Sequence, residues 1–190
     1  EKEIKLCEKL GINIISQNDT LYPKHLLNCD DSPVILFYKG NLNPDLNPIS
    51  IVGTRKMTVY GKTFIQDLLA GLSGSEISTV SGLALGVDSC VHEESLKNQI
   101  PTIAVLAQGL GSIYPAKNKN LSHKILENDG ALVTEYASFE GMAKENFLQR
   151  NRIIAGFSPN LIVVETAYGG GSISTVNCAN QYNRDVFALP

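Results

Sequence analysis

The 190-residue sequence predicts a doubly wound α/β fold with a mainly parallel sheet of about six strands and helices on both faces. Two observations predict it. Apolar runs of strand length recur along the chain, and the segments between them carry apolar residues three and four apart, the period of a helix with one buried face. Near-continuous apolar strands belong to a parallel sheet covered on both sides, and parallel neighbours need crossover helices to join them.

Taken in order, the first fifty residues read as a small extension. They hold a helix over 1–10, a short strand "INIIS", a proline-marked turn "LYPKHL" and a strand-like "VILFYKG". Pro44 and Pro48 punctuate the passage into the sheet. Six strands follow, "ISIV" at 49–52, "ISTV" at 77–80, "TIAVLA" at 102–107, "ALVTEY" at 131–136, "LIVVET" at 161–166 and "DVFAL" at 185–189. The intervals "KTFIQDLLAGL", "GVDSCVHEESLKN", "NLSHKILEN", "NFLQRNRIIAGF" and "SISTVNCANQYN" have the helical period and supply the crossovers. The boundary falls at residue 48, with 1–48 packed as an N-terminal extension on a core of 49–190. No internal repeat, low-complexity tract or separating linker is visible.

At 43% hydrophobic and 18% charged residues, the chain has the composition of an ordinary globular protein able to bury a full core. No run approaches the roughly 20 apolar residues of a membrane span, and "EKEIKLCEKL" is unlike a secretory signal. A cytoplasmic protein without membrane contact is expected. Cys7, Cys29, Cys90 and Cys178 are scattered, with no CxxC pair and no histidine at ligand spacing, so buried thiols are expected rather than a metal site or disulfides. The formal net charge of -3 excludes a uniformly basic nucleic-acid binder and says nothing about one face.

Local charge is more informative. Residues 46–66 contain no acid but carry Arg55, Lys56 and Lys62; residues 112–126 hold only Lys117, Lys119, His123 and Lys124; residues 146–164 hold only Arg150 and Arg152. In a doubly wound sheet, ligands bind beyond the carboxyl ends of the strands. All three windows begin there, so their convergence on one rim is the geometric expectation. Glycines mark the same edge: Gly53, Gly82 and Gly86, Gly109 and Gly111, and Gly169 to Gly171. Each offers backbone N–H groups near a helix start, which favours an anion.

The nucleotide motifs fail. "GLGSIY" has Tyr114 where a third glycine is needed, and no GxxxxGK[ST] occurs. Ser81, Asp88 and His92 raise the idea of a hydrolase triad, but Ser81 lies on the strand side of two glycines. Asp88 in a first helical turn with His92 packed beneath it is the structural expectation. Tyr60, Tyr114, Tyr136, Phe139 and Phe147 lie near the rim, where each reads more readily as an anchor than as a stacking platform.

The ordered set "YP" at Tyr22 and Pro23, "IVGTR", "SGLALGVD", "GLGSIYP", "TEY", "RNRIIAGFS", "VVET", "GGSISTVNCAN" and "RDVFALP" resembles the DNA-processing protein A family, also called DprA or Smf. The resemblance covers nearly the whole chain. It implies an extended Rossmann-like domain that binds single-stranded DNA without catalytic chemistry or cofactor, and that passes the strand to a RecA-type recombinase during natural transformation. The family's G-[ST]-R turn falls on Gly53, Thr54 and Arg55, which makes Arg55 a phosphate-binding position beside Lys56. Its SGLARGID motif falls on Ser81 and Gly82, with Leu85 where the family has arginine. The lysines after "YP" are represented by Lys117 and Lys119; Arg150, Asn151 and Arg152 either contact DNA or brace loops. Gly170, Gly171 and Ser172 resemble the family's SGS helix start, with Thr175 close by. Family members continue past "RDVFALP", so the chain is expected to be a fragment, and the resemblance leaves a homodimer open. The alternative is a nucleotide-processing enzyme related to the cytokinin-activating phosphoribohydrolases. It would require a PGGxGTxxE stretch, and "YGGGSISTV" lacks the glutamate.

Overall fold

The computed structural model describes residues 1–189. Among them run β1 (Asn13–Ser16), β2 (Ile35–Gly40), β3 (Asn47–Val52), β4 (Ile77–Ser81), β5 (Thr102–Val105), β6 (Ala131–Thr134), β7 (Asn160–Val163) and β8 (Asp185–Ala188). Seven helices join them: α1 (Lys2–Leu10), α2 (Lys24–Leu27), α3 (Val59–Gly71), α4 (Val87–Lys97), α5 (Lys119–Glu127), α6 (Lys144–Phe157) and α7 (Gly171–Gln181). One sheet contains all eight strands in the order β1-β2-β6-β5-β4-β3-β7-β8.

The doubly wound core accounts for β3 to β8, the six expected strands, all in parallel pairs. The count rises to eight because the two strands of the first 48 residues join the same sheet. Strand β2 pairs antiparallel with β6, setting Tyr38 opposite Val133, and β1 pairs antiparallel with β2. An uncovered β6 edge would present a row of unpaired backbone groups, and this addition occupies it.

Alternation of side chains divides the core. Ile51 points to a cluster with Ile65, Leu69, Val87 and Val91, under α3 and α4. Its neighbour Val52 points to the opposite cluster with Ile153, Ile154 and Tyr22, under α6 and α2. Each such side chain contributes about 1.5–3 kcal/mol on burial. No helix among the described residues is long and apolar enough to cross a membrane.

From β3 the chain winds outward through β4 and β5 to β6. It then crosses back over α6 to β7, which pairs with β3 on its other side. The winding direction therefore reverses between β3 and β7. Beyond their carboxyl ends, loops diverge to opposite faces and leave a crevice.

Candidate nucleic-acid interface

A cleft of about 560 Å³ opens at this reversal. One wall is the turn after β3, with Gly53, Thr54 and Arg55; another is the start of α7, with Gly170, Gly171 and Ser172; α6 supplies Lys144, Phe147, Arg150 and Asn151. Among the described residues no group of His, Cys, Asp and Glu is placed to hold a metal ion.

The β3 turn is fixed from both sides. Thr54 N–H donates to the Glu165 carbonyl at 2.7 Å, and Val87 N–H donates to the Thr54 carbonyl at 3.1 Å. The Thr54 hydroxyl accepts from Lys56 N–H at 3.1 Å. A Cβ on Gly53 would meet Val87 Cγ2 at 2.6 Å, so this approach of turn to helix requires glycine. Gly86, at φ 84°, lies equally close under Arg55, where a Cβ would stand 2.6 Å from the Arg55 carbonyl carbon. Arg55 itself is exposed, with its guanidinium carbon 5.7 Å from the Phe147 ring centre. Tyr114 meets the same ring edge-on at 5.9 Å.

The nearest strand-end acid is turned to another task. Glu165 accepts from Thr58 N–H at 2.9 Å and from the Thr58 hydroxyl, at the N-cap of α3. Those hydrogen bonds hold its carboxyl below the ordinary range. Its charge thus stays ionised at the α3 start, where the helix dipole favours it.

On the cleft floor Arg150 is only 4% exposed. Its Nη1 donates to the Gly82 carbonyl at 2.8 Å and to the Val105 carbonyl, and its Nε donates to Asn151 Oδ1 at 3.2 Å. Nη2 has no protein partner among the described residues and borders the cleft with Asp88. Burial raises the Asp88 carboxyl, with the Arg150 charge opposing that shift. Asn151 ties α6 to α7, donating to the Gly171 carbonyl at 3.2 Å and to Ser174 Oγ at 2.7 Å. At the α7 start the Ser172 and Thr166 hydroxyls share a hydrogen bond at 2.5 Å.

The three cationic windows do not all converge. Arg55, Arg150, Asn151 and the Gly170–Ser172 segment line one cleft with Gly53 and Thr54, whereas Arg152 points away from it. Two residues along a helix lie on different faces. Arg152 Nη2 contacts Glu135 Oε2 at 2.5 Å, and its Nε lies 3.9 Å from Asp31, so it braces α6 against the loops before β2 and after β6. Lys117 lines a separate depression between α4 and α5, while Lys119 is exposed and lines neither. Lys56 is exposed beside the turn. Ser81 is fully buried and donates to the Ile51 carbonyl at 2.7 Å, which removes its hydroxyl from any ligand. Gly82 serves through space: a Cβ there would lie 2.6 Å from Asp88 Oδ2 and 2.7 Å from Arg150 Nη2.

Ser81, Asp88 and His92 form no triad. His92 Nδ1 bonds the Thr102 hydroxyl at 2.7 Å, and burial, with Arg150 adding to it, pushes the imidazole pKa down to about 3. The expected structural placement of Asp88 is found, in the first turn of α4, accepting from Ala84 N–H at 3.3 Å. Lys144 was missed because Glu140 and Glu145 flank it in sequence and hide it from an acid-free count. The pairing of Tyr114 with Phe147 was missed too, since nothing local signals contact between residues 33 positions apart.

A family model described as DNA recombination-mediator protein A matches residues 13–190. The chain is 41% identical over 173 residues to the DNA processing protein DprA of Streptococcus pneumoniae, covering 90% of this chain and 61% of the relative. It is 36% identical over 191 residues to Protein Smf of Escherichia coli, covering 99% of this chain and 51% of the relative. The chain thus spans between half and two thirds of the length of these relatives. Its fold matches the X-ray structure of the Streptococcus pneumoniae protein with a TM-score of 0.91 at 38% identity, covering 100% of this chain and 67% of that one. A structure of DNA processing protein A from Helicobacter pylori, described for its single-stranded DNA binding mode, matches with a TM-score of 0.84 at 29% identity, covering 94% of this chain and 80% of that one. The β3 turn, the α7 start and the α6 arginine thus sit in a protein that belongs to the DNA recombination-mediator protein A family.

Proposed function

We propose that the chain is the single-stranded DNA-binding core of a recombination mediator. It holds incoming DNA in the cytoplasm and presents it to a RecA-type recombinase during natural transformation. The observation that carries this reading is the convergence of Arg55, the Arg150 Nη2 edge and the α7 N-terminus on one cleft beside the Tyr114–Phe147 pair. Cations and helix-start N–H groups suit phosphate, and aromatic faces suit unstacked bases. A duplex keeps its bases stacked, so only a single strand offers phosphates to the cations and unstacked bases to the aromatic pair at once. The relatives named DprA and Smf, and the Helicobacter pylori structure with its single-stranded DNA binding mode, support the same reading.

Binding without turnover is our reading, supported by the lining: among the described residues no hydroxyl there is hydrogen-bonded to a histidine or to Asp88. A titration of fluorescent single-stranded and duplex oligonucleotides across salt tests the proposal. Single strands should bind more tightly, with log affinity falling by about 0.7 per phosphate contact against log salt, for roughly 3 to 5 contacts. Equal affinity for the two forms, or a flat salt response, would defeat it.

A further inference from the structure

Of the two lysines after "YP", Lys117 lies outside the cleft in a depression of about 460 Å³ between α4 and α5, and Lys119 lines neither. Lys117, Lys124 and Lys97 line it, with Asn118 and Asn120. From these placements we infer that the groove is a second phosphate-binding track, which takes the strand as it leaves the cleft. This rests on the single-strand reading above.

Cleft and groove are joined along the chain at Pro115. A smaller opening lined by Leu85, Gln108 and Pro115 shares Arg55, Ala84, Tyr114, Phe147 and Arg150 with the cleft. Pro115 leads directly into the short 3-10 helix Ala116–Asn118, which carries Lys117 to the head of the groove. Asn118 is buried and fixes this join, donating from Nδ2 to the Leu83 carbonyl at 2.8 Å and to the Ala84 carbonyl at 3.3 Å. Leu85, where the family motif has arginine, borders the passage, so the cations of the exit come from the groove rather than from that loop.

Helix α4 starts at Val87, bonded to the β3 turn, and ends at Lys97. Lys97, the last residue of α4, lines the same groove as Lys117 and Lys124 of the facing segment. The groove also contains Glu93, and Lys97 meets Glu94 at 3.3 Å. Lys97 is 69% exposed, whereas Glu94 is 11% exposed and also accepts from Gln66 at 2.8 Å, so the ammonium can turn to a phosphate while Glu94 keeps a hydrogen-bond donor.

The test compares oligothymidylates of roughly 6 and roughly 20 nucleotides, one long enough for the cleft alone and one able to follow the groove. The variant is Lys97→Gln with Lys124→Gln, which leaves every cleft residue in place. It should lose about fivefold in affinity for the long strand, and its salt slope should fall by about 1.4, two contacts at 0.7 each. Affinity for the short strand should stay unchanged, and the melting temperature should fall by no more than a few degrees, since Lys97→Gln takes the charge partner from Glu94 but leaves its bond from Gln66. An unaltered long-strand affinity and slope would overturn the inference and leave the lysines to a different anionic partner, such as an acidic protein segment. Failure of both lengths to bind the unmodified protein would sink the single-strand reading itself. Short-strand binding with no groove effect sinks only the track.

Discussion

The Arg55 guanidinium lies 5.7 Å from the centre of the Phe147 ring, in the cleft that the α7 start also lines. A π face steadies a cation without occupying its N–H donors. Both acids that could have braced Arg55 are otherwise engaged, Glu135 by Arg152 and Glu165 by Thr58. Among the described residues Arg55 forms no ion pair. Its backbone is held rigidly and its fork is left open, which lowers the ordering cost of meeting a phosphate.

Arg55→Ala should therefore weaken single-strand binding by about 1.5–3 kcal/mol, the range for a charged hydrogen bond, with little change in melting temperature. Arg55→Lys should rescue only part, because an ammonium lacks the two-pronged geometry. Melting and binding measured on the same preparations decide it. A drop of several degrees, with the folded fraction binding normally, would make Arg55 a brace.

Arg152 should behave in the opposite way. Removing it leaves Glu135 without its counter-charge in a half-buried site, so Arg152→Ala should cost about 3 kcal/mol of stability while the folded protein keeps its affinity. The pH dependence has a definite sign. Burial raises the Glu135 carboxyl, and Arg152 opposes that shift. A raised carboxyl weakens the fold once it ionises, and stability returns as pH falls through its folded pKa. Loss of Arg152 enlarges the shift. The variant's deficit in urea denaturation should then be largest near neutrality and shrink in mildly acid buffer; a constant deficit would mean that the charge pairing is not what Arg152 contributes.

Much of this was legible in the sequence because it is local. Apolar runs and helical periods located β3 to β8 and their crossovers, and the glycine after Val52 marked the turn that follows β3, though not that Thr54 N–H and Lys56 N–H are bonded within the protein. What the sequence hid depends on contacts between distant segments. Arg150 and Arg152 look alike in "RNR", and only the rotation of α6 sends one to the cleft floor and the other to Glu135. Lys117 looked like a rim cation, yet the turn at Pro115 carries it over the edge toward α4. The two early strands were visible, but their partner β6 was not, since pairing across the sheet leaves no trace in local pattern.

The purified protein should not turn over nucleotides or DNA. Ser81 is committed to the Ile51 carbonyl, and His92 is sealed beneath the sheet as a neutral imidazole. Product analysis after prolonged incubation checks this. Release that vanishes in Asp88→Ala, a cleft residue, would establish a catalytic role for that carboxylate.

Gly82→Ala should damage the cleft from beneath. The new Cβ would stand 2.6 Å from Asp88 Oδ2 and 2.7 Å from Arg150 Nη2, closer than any relaxed contact. Ends of flexible side chains usually yield, but Arg150 is anchored through Nη1 to the Gly82 and Val105 carbonyls and through Nε to Asn151. Moving it leaves buried carbonyls without donors, at about 1–3 kcal/mol for each lost bond. A loss of about 2–3 kcal/mol in urea denaturation is expected, together with weaker single-strand binding because the Nη2 edge shifts. Gly171→Ala is the control, since a Cβ there meets nothing within 4 Å, and its stability should stay within about 0.5 kcal/mol of the unmodified protein. If Gly82→Ala unfolds like the control, Arg150 is free to swing, and the floor of the cleft is held by something other than its three hydrogen-bonded anchors.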